Sequence, residues 1–223
     1  MRLKWGNRFF IPENPNGEAV ILVHGLFLGS FVMIPLAKKL AAKGFHTISY
    51  DYRTISKKTD LLGADLARFI EQTAEKNYTK IHFVTHSMGG LLLRSALCKL
   101  SPETAAKIGR SVMLVPPNKG SDLARLATRI VPFAEKVVAP IHDLSSAEDS
   151  FANTFPEPAE KFDIAVIAAS HDTKVKPSYT HLAAERAHII LRATHTFIVF
   201  MPRTAVLVYN YIATGNFEGE NHV

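Results

Sequence analysis

Short runs of β-forming residues alternate with longer segments of helical periodicity along most of the chain. The run at 19–23, Ala-Val-Ile-Leu-Val, is apolar throughout, as expected for a strand buried on both faces. The pattern predicts strands at 19–23, 46–52, 81–84, 111–115, 163–168 and 188–191, and helices at 33–43, 59–76, 87–100, 102–108 and 203–213. Strands that are separated by helices pair in parallel through right-handed crossovers. The chain is therefore predicted to be an α/β protein with a doubly wound, mostly parallel sheet and helices on both faces.

The length of the chain favours one buried core over two domains. Its 223 residues are 47% hydrophobic and 21% charged, which is typical of a globular protein. We therefore expect a single domain over residues 1–223.

Residues from about 117 to 161 break the alternation of strands and helices. An apolar stripe at helical spacing is followed by a stretch rich in proline and acidic residues. The stripe comprises Leu123, Leu126, Ile130, Phe133, Val137 and Val138. Three interpretations are open: a small cap over a substrate cleft, a core-packing helix with a surface loop, and a helix on a membrane surface. The cap is the preferred one.

The net charge of +6 comes from scattered basic residues rather than from a basic run. No zinc-finger, basic-zipper or RNA-binding signature accompanies them, so nucleic acid is not an expected partner. The N-terminus lacks the apolar core of a signal peptide, and no stretch approaches the roughly 20 apolar residues of a membrane span. A cytoplasmic protein is expected. Cys98 is the single cysteine, which excludes an intrachain disulfide, and we expect it to be a buried small side chain.

A serine lies between a β-rich run and a helical run in the segment 85–90, Thr-His-Ser-Met-Gly-Gly. This layout is typical of a nucleophile elbow, the strained strand-to-helix turn that exposes a catalytic serine hydroxyl. Gly89 and Gly90 after Ser87 are the small residues that such a turn needs. Thr85 stands where the motif G-x-S-x-G has its first glycine. An ordinary turn serine is the alternative interpretation.

A serine hydroxyl is a weak nucleophile at neutral pH and needs a base that is oriented by an acid. Asp172 and His195 each follow a predicted strand, and sites in α/β proteins lie at the carboxyl ends of the strands. Ser87, Asp172 and His195 occur in the chain order of an α/β-hydrolase triad. The competing acids are Asp163, which precedes its strand, and Asp143 and Asp149 in the segment 117–161; the competing bases are His171, His181 and His188.

Four motifs in this order resemble those of a small α/β-hydrolase, and most of all those of the bacterial lipase and esterase group. They are Val-His-Gly-Leu at 23–26, the elbow at 85–90, Asp-Thr-Lys-Val at 172–175 and Thr-His-Thr-Phe at 194–197. The segment 115–121, Val-Pro-Pro-Asn-Lys-Gly-Ser, is also similar to one in lipase-like hydrolases. The resemblance spans residues 19–217 and implies an α/β-hydrolase fold. It also implies carboxylic-ester hydrolysis through an acyl-enzyme on Ser87.

The resemblance implies a role for each site residue. Ser87 is the nucleophile, His195 the general base that later protonates the leaving group, and Asp172 the acid that orients His195. The backbone N–H groups of Leu26 and Met88 form the oxyanion hole. A thioesterase, an acyltransferase or an amidase could use the same residues, and a non-catalytic binding protein on this fold is the alternative of a different class.

The expected partner is a small-molecule ester with an apolar acyl group, because apolar side chains flank the predicted oxyanion hole. Phe27 is the predicted substrate-binding residue. His86 is expected to pack or hydrogen-bond beneath the elbow, and His24 to brace the oxyanion loop. No cofactor motif and no cluster with metal-ligand spacing stands out, so neither a cofactor nor a metal is expected.

Overall fold

Seven strands of the described chain form one sheet. The structure is a computed structural model and describes residues 6–130, 138–158 and 160–218. The strands are β1 (Arg8–Phe10), β2 (Ala19–Val23), β3 (His46–Tyr50), β4 (Ile81–His86), β5 (Ile108–Leu114), β6 (Asp163–Ala169) and β7 (Ala187–Leu191). Their order is β1-β3-β2-β4-β5-β6-β7, and each neighbouring pair is parallel except β1 with β3.

Helices cover both faces of this sheet. They are α1 (Ile34–Ala41), α2 (Thr59–Ala74), α3 (Met88–Leu97), α4 (Pro102–Ala106), α5 (Asp122–Ile130), α6 (Phe151–Thr154) and α7 (Pro202–Thr214), with 3₁₀ turns at Ser30–Met33, Pro177–Tyr179 and Phe197–Phe200. On β2, Ile21 and Val23 belong to the core under α2 and α3, whereas Val20 and Leu22 belong to the core under α1 and α7. Alternate residues of a strand point to opposite faces, which explains the burial of every β2 residue. The predicted doubly wound sheet is confirmed.

The element boundaries differ from the predictions mainly at β1 and β5. The sequence pattern does not predict β1, because three residues are too few to show alternation. This strand pairs antiparallel with β3 at the edge of the sheet. β5 begins at Ile108, where the pattern predicts the end of a helix, and α4 already ends at Ala106. Arg110 of β5 pairs with Asp163 of β6, so β5 starts earlier than predicted. Local sequence propensity cannot predict this pairing, because Asp163 is distant in the chain.

The segment 117–161 leaves the sheet after β5 and returns at β6. Arg94 of α3 is 1% exposed and ties this segment to the sheet layer. Its guanidinium donates to the carbonyl oxygens of Asn118, Ala152 and Phe155 at 3.0, 3.3 and 2.9 Å. A buried guanidinium needs such acceptors, because an unpaired buried charge is strongly destabilising.

The predicted apolar stripe of this segment begins on α5. Leu123 and Leu126 are both exposed. Positions 130, 133 and 137 of the stripe lie outside the residues whose side chains the structure describes. A cap over the site, like the single-domain organisation, stays a prediction.

Cys98 is exposed at the C-cap of α3, so the expectation of a buried thiol is wrong. The apolar run that suggested burial ends one residue earlier, at the buried Leu97. Among the described residues, no helix is long and apolar enough to cross a membrane.

Candidate active site

Three residues with left-handed backbone mark one edge of the sheet. Phe27, Ser87 and Val115 have φ angles of 58°, 52° and 46°, and they are the non-glycine residues with positive φ in the described part of the chain. They follow β2, β4 and β5, which are neighbours in the sheet, so all three lie at the carboxyl ends of strands. Such backbone costs about 1–3 kcal/mol per residue and clusters at functional sites. This edge of the sheet is therefore the candidate site.

Ser87 forms the strained turn between β4 and α3. It is the N-cap of α3, with φ 52° and ψ −124°. A Cβ on Gly89 would lie 2.6 Å from the carbonyl oxygen of Val23, so only glycine permits this close approach of helix and strand. Thr85 lies within β4 and pairs with Val23 in regular register. The turn therefore needs no glycine at position 85.

Ser87, His195 and Asp172 form a continuous hydrogen-bond chain. The Nδ1 of His195 is 2.6 Å from Oδ2 of Asp172, and its Nε2 is 2.9 Å from Oγ of Ser87. A carboxylate only accepts, so Nδ1 carries the proton and Nε2 presents its lone pair to the serine hydroxyl. Ser87 follows β4, His195 follows β7 and Asp172 follows β6. His195 is 7% exposed. The structure thus brings together the three side chains that the sequence singled out.

The carboxyl group of Asp172 is fully buried and held from both oxygens. Its Oδ1 accepts from the backbone N–H groups of Lys174 at 2.7 Å and Val175 at 2.9 Å. Burial acts to raise the pKa of Asp172, but the hydrogen bond and charge of His195 and the two backbone amides hold it below its usual value. Asp172 is therefore ionised at neutral pH and can fix the tautomer of His195.

His86 lies beneath the elbow and is 1% exposed. Its Nε2 donates to the carbonyl oxygen of His195 at 2.9 Å, and its Nδ1 has no hydrogen-bond partner in the described part of the chain. Burial is the main cause that lowers the pKa of His86 to about 3. A neutral His86 thus joins the residue before the serine to the backbone of the candidate base, in line with the expectation that it hydrogen-bonds beneath the elbow.

The loop after β2 presents one backbone amide to the site. The N–H of Phe27 donates to Oγ1 of Thr54 at 3.1 Å. The N–H groups of Leu26 and Met88 have no acceptor among the described residues. Met88 is the first residue of α3, where backbone N–H groups lack partners within the helix. Leu26 and Met88, and not Phe27, therefore have amides available for an incoming oxygen.

His24 braces this loop from below. Its ring stacks on Tyr52 with centroids 4.3 Å apart, and Tyr52 Oη donates to the carbonyl oxygen of His24 at 2.7 Å. His24 Nε2 lies 3.5 Å from Oδ1 of Asp51. Burial acts to raise the pKa of Asp51, but the nearby His24 ring and hydrogen bonds from the backbone amides of Ser30 and Gly6 lower it to about 2. The sequence analysis does not identify Asp51 or Tyr52; their position directly after β3, at the same sheet edge, is the signal that would find them.

An apolar cavity of about 350 Å³ opens at Ser87 and His195. Its walls come from the loop after β2 and from the segment 117–161, and they include Leu26, Phe27, Leu28, Leu123, Ile141 and Leu144. Phe27 is 67% exposed at this cavity, where the sequence places a substrate-binding residue. Among the described residues that line the cavity, Lys174 is the one with a permanent charge. The cavity can hold an apolar group next to the serine.

The competing acids lie away from His195. Asp163 is at the opposite sheet edge, where it accepts from Tyr211 Oη at 2.5 Å. Asp143 accepts from the N–H of Thr59 at 2.8 Å and so holds the start of α2. Asp149 lies 3.6 Å from His142. Each of these carboxylates has another partner.

The competing bases do not reach Ser87 either. His171 lies 2.9 Å from Oγ of Ser170. His181 lies 2.6 Å from Glu185, and its ring stacks on His188. The sequence analysis finds no cluster of metal ligands, yet the fold gathers ligand atoms of His181, Glu185 and His188 within 4.8 Å of one another.

Comparisons with known proteins agree with this architecture. A family described as "Domain of unknown function (DUF7379)" has a model that matches residues 10–139, more than half of the chain. The match includes Leu26 and Ser87 and ends before Asp172 and His195. No curated protein matches the sequence.

Solved structures with low sequence identity share the fold. Lipase B of Aspergillus fumigatus has a TM-score of 0.72 at 14% identity, covering 96% of this chain and 58% of that one. The propeptide form of Bacillus licheniformis lipase BlEst2 has a TM-score of 0.70 at 18% identity, covering 86% and 50%. An esterase of Thermogutta terrifontis has a TM-score of 0.62 at 14% identity, covering 94% and 93%. This chain thus spans 58% of the Aspergillus lipase, 50% of the propeptide form of the Bacillus lipase and 93% of the esterase. It has the α/β-hydrolase fold and belongs to the family described as "Domain of unknown function (DUF7379)".

Proposed function

We propose that this protein is a serine hydrolase that cleaves carboxylic esters through an acyl-enzyme on Ser87. The observation that carries the proposal is the hydrogen-bond chain from Ser87 through His195 to Asp172, with separations of 2.9 and 2.6 Å, beside an apolar cavity. A nucleophile, a base and an orienting acid within hydrogen-bond reach are what this chemistry requires.

In the first half-reaction, Ser87 Oγ attacks the carbonyl carbon of the ester. His195 Nε2 takes the hydroxyl proton while the new C–O bond forms, and ionised Asp172 stabilises the imidazolium without taking the proton. The tetrahedral intermediate then collapses and the bond to the alcohol oxygen breaks. His195 returns the proton to that oxygen, which leaves an acyl-enzyme and a free alcohol.

In the second half-reaction, water replaces the alcohol. His195 removes a proton from the water as its oxygen attacks the acyl carbon, and the carbonyl oxygen again becomes an oxyanion. Collapse breaks the bond to Ser87 Oγ, which regains its proton from His195. The products are a carboxylic acid and the original enzyme.

The oxyanion of both intermediates is assigned to the N–H groups of Leu26 and Met88. Neither amide has a competing acceptor in the described residues. Met88 also opens α3, so the positive end of the helix dipole stabilises negative charge there. Each such donor contributes about 3 kcal/mol of transition-state stabilisation in measured oxyanion holes.

The cavity supports an apolar acyl group as the preferred substrate. Its lining is largely aliphatic and aromatic, and Phe27 and Leu26 flank the proposed oxyanion position. An acyl chain that fills this space leaves water and gains hydrophobic stabilisation of about 0.8 kcal/mol per buried methylene. We therefore assign small-molecule esters with an apolar acyl part as substrates.

Labelling with a fluorophosphonate probe tests the nucleophile. The wild type should be labelled stoichiometrically, and Ser87→Ala should not be labelled. Ser170→Ala is the matched control, since Ser170 also follows a strand at this edge and its hydroxyl lies 2.9 Å from Nδ1 of His171, away from His195. A folded wild type that resists the probe would overturn the serine hydrolase assignment and favour a binding protein on the same fold.

Graded p-nitrophenyl esters then test the reaction and the cavity. We expect turnover with acetate, butyrate and octanoate esters, with kcat/KM rising from acetate to butyrate. Matched thioesters and an added alcohol acceptor separate the alternatives. A faster thioester reaction would indicate a thioesterase, and transfer to the alcohol in preference to water would indicate an acyltransferase.

A further inference from the structure

A second cluster of reactive side chains lies in the turn that leads into β7, outside the cavity at Ser87. His181, Glu185 and His188 occupy positions i, i+4 and i+7 of the chain. One ligand atom from each lies within 4.8 Å of the other two. The two imidazoles stack with centroids 3.8 Å apart and planes 17° from parallel.

The hydrogen bonds of His188 determine which of its nitrogens is protonated. Thr180 Oγ1 donates its single proton to the carbonyl oxygen of Pro177 at 2.7 Å. Oγ1 of Thr180 also lies 2.8 Å from Nε2 of His188, and because its own proton is already used it must accept a hydrogen bond from that nitrogen. His188 Nε2 carries the proton, and the lone pair of a neutral ring is left on Nδ1.

His181 is held by the carboxylate of Glu185. Its Nδ1 lies 2.6 Å from Oε1 of Glu185, so a cation that replaces the proton between these two atoms would be bound by both. The other carboxylate oxygen, Oε2, accepts from the N–H of Leu182 at 3.0 Å and so fixes the Glu185 side chain. His188 thus gives its N–H to an oxygen and keeps a lone pair, which is the arrangement that protein oxygens impose on metal-binding histidines, and the pair of His181 Nδ1 and Glu185 Oε1 offers two further ligand atoms.

We propose that His181, Glu185 and His188 bind one divalent late transition-metal cation, with Zn²⁺ as the type. Two imidazoles and a carboxylate are a zinc ligand set, whereas Ca²⁺ and Mg²⁺ prefer oxygen ligands alone. Ligand atoms on a tetrahedral Zn²⁺ with bonds of about 2.1 Å are roughly 3.4 Å apart. The widest pair of ligand atoms must therefore close by up to about 1.4 Å. His181 Nδ1 and Glu185 Oε1, now 2.6 Å apart, must separate, and the ring stack of His181 on His188 must open. His181, with 46% of its side chain exposed, has room to move in this way.

The site would brace the loop that carries the candidate triad acid. This loop runs from Asp172 through the 3₁₀ turn Pro177–Tyr179 to β7. It is already joined to the turn after β5, since Asn118 Nδ2 donates to the carbonyl oxygen of Thr180 at 2.7 Å. A cation that binds the folded loop and not the unfolded chain stabilises the protein by mass action. The inference does not depend on the proposed ester hydrolysis.

Isothermal titration calorimetry of the metal-free protein with Zn²⁺ tests the site. All variants carry Cys98→Ser, because the exposed thiol of Cys98 is itself a zinc ligand. The parent should show one stoichiometric site that His181→Gln and His188→Gln lose, with at least a 100-fold rise in Kd. His171→Gln is the matched control, an exposed histidine after β6, and should keep the site. Glu185→Gln should raise Kd about tenfold or more.

Thermal unfolding supplies the second readout. Zn²⁺ should raise the Tm of the parent and of His171→Gln, and should leave the Tm of His181→Gln unchanged, while Mg²⁺ should shift none of them. Without metal, the parent and His181→Gln should unfold within about 2 °C of each other, because an exposed substitution costs little. Equal Zn²⁺ affinity and equal Tm shifts in the parent and in His181→Gln would overturn the proposal.

Discussion

The strands β4 and β6 each carry a histidine or an aspartate near both ends, and the two ends differ in what surrounds these side chains. At the amino ends, His82 lies 3.3 Å from Glu18, and Asp163 lies 3.3 Å from Arg110 and 2.5 Å from Tyr211 Oη. Arg110 joins the two groups, since its N–H also donates to His82 Nδ1 at 2.9 Å.

At the carboxyl ends of the same strands, His86 and Asp172 both contact His195. Ser87 directly follows His86 and has a φ of 52°. Phe27 and Val115, the other two non-glycine residues of positive φ in the described chain, follow the strands on either side of β4. One edge combines strained backbone with a candidate nucleophile, whereas the other edge holds ion pairs on unstrained backbone. This difference distinguishes a candidate site from a structural scaffold. The same residue types are therefore expected to matter for activity at one edge and for stability at the other.

The largest contrast should come from the two aspartates that flank β6. Asp172→Asn leaves His195 in the wrong tautomer and should lower kcat on a p-nitrophenyl ester about 10⁴-fold. Asp163→Asn should keep kcat within about threefold and lower the free energy of unfolding by about 1 kcal/mol, since it weakens one ion pair and one hydrogen bond. Steady-state kinetics and urea unfolding of both variants measure the contrast. Comparable activity losses would remove the distinction between the edges.

Two glycines give a second matched pair. A Cβ on Gly25 would lie 2.9 Å from both Ser87 Cβ and His86 Nδ1, so Gly25→Ala must displace the elbow. We expect kcat to fall about 100-fold, as for small misplacements of catalytic groups. A Cβ on Gly109 would lie 2.5 Å from the His82 ring, so Gly109→Ala should cost about 1–3 kcal/mol of stability and leave kcat within a few-fold. If Gly25→Ala had the same kcat as the wild type, the turn at Ser87 would tolerate a displacement that we expect to be inactivating.

The pH dependence of stability should report the burial of His86. Its pKa falls from the ordinary histidine value of 6.5 in the unfolded chain to about 3 in the folded protein. The unfolded state therefore binds more protons between these values, and stability is lost as pH falls below about 6.5. Between pH 7 and pH 5 the wild type should lose about 2 kcal/mol more than His86→Gln, which keeps a donor for the His195 carbonyl.

Urea unfolding at both pH values measures this difference. The exposed His171→Gln variant serves as the control and should follow the wild type. Parallel losses in the wild type and His86→Gln would mean that His86 does not titrate on unfolding as its burial requires.

The smallest effect should come from the charge at the cavity. Lys174 is exposed and has no hydrogen-bond or ion-pair partner for its ammonium among the described residues. Lys174→Gln should lower the kcat/KM for p-nitrophenyl hemisuccinate relative to the butyrate ester about threefold, because an exposed charge contributes under about 1 kcal/mol. Lys161→Gln, before β6 at the other edge, should leave the ratio unchanged. Equal ratios in both variants would show that Lys174 does not reach the acyl group.

The fold and the identity of the site residues are largely readable from local patterns. Apolar runs such as that of β2 indicated the strands, and Ser87, Asp172 and His195 each follow one. The same patterns missed β1, which has three residues and depends on pairing with β3. They also predicted that Cys98 is buried, whereas the buried run ends at Leu97 and Cys98 is exposed. They also passed over the spacing of His181, Glu185 and His188, because ligand spacing has meaning only once the turn is folded.

Local sequence patterns specify the alternation of strands and helices and the order of the candidate triad, because turn residues and side-chain periodicity act over a few neighbours. The tertiary structure decided which groups meet: His195 and Ser87 are 108 residues apart in the chain and 2.9 Å apart in space. It also decided that Thr54 occupies the amide of Phe27 and leaves that of Leu26 available, that Arg94 holds the segment 117–161, and that His86 is buried enough to stay neutral. Long-range packing sets these properties, and no local pattern encodes them.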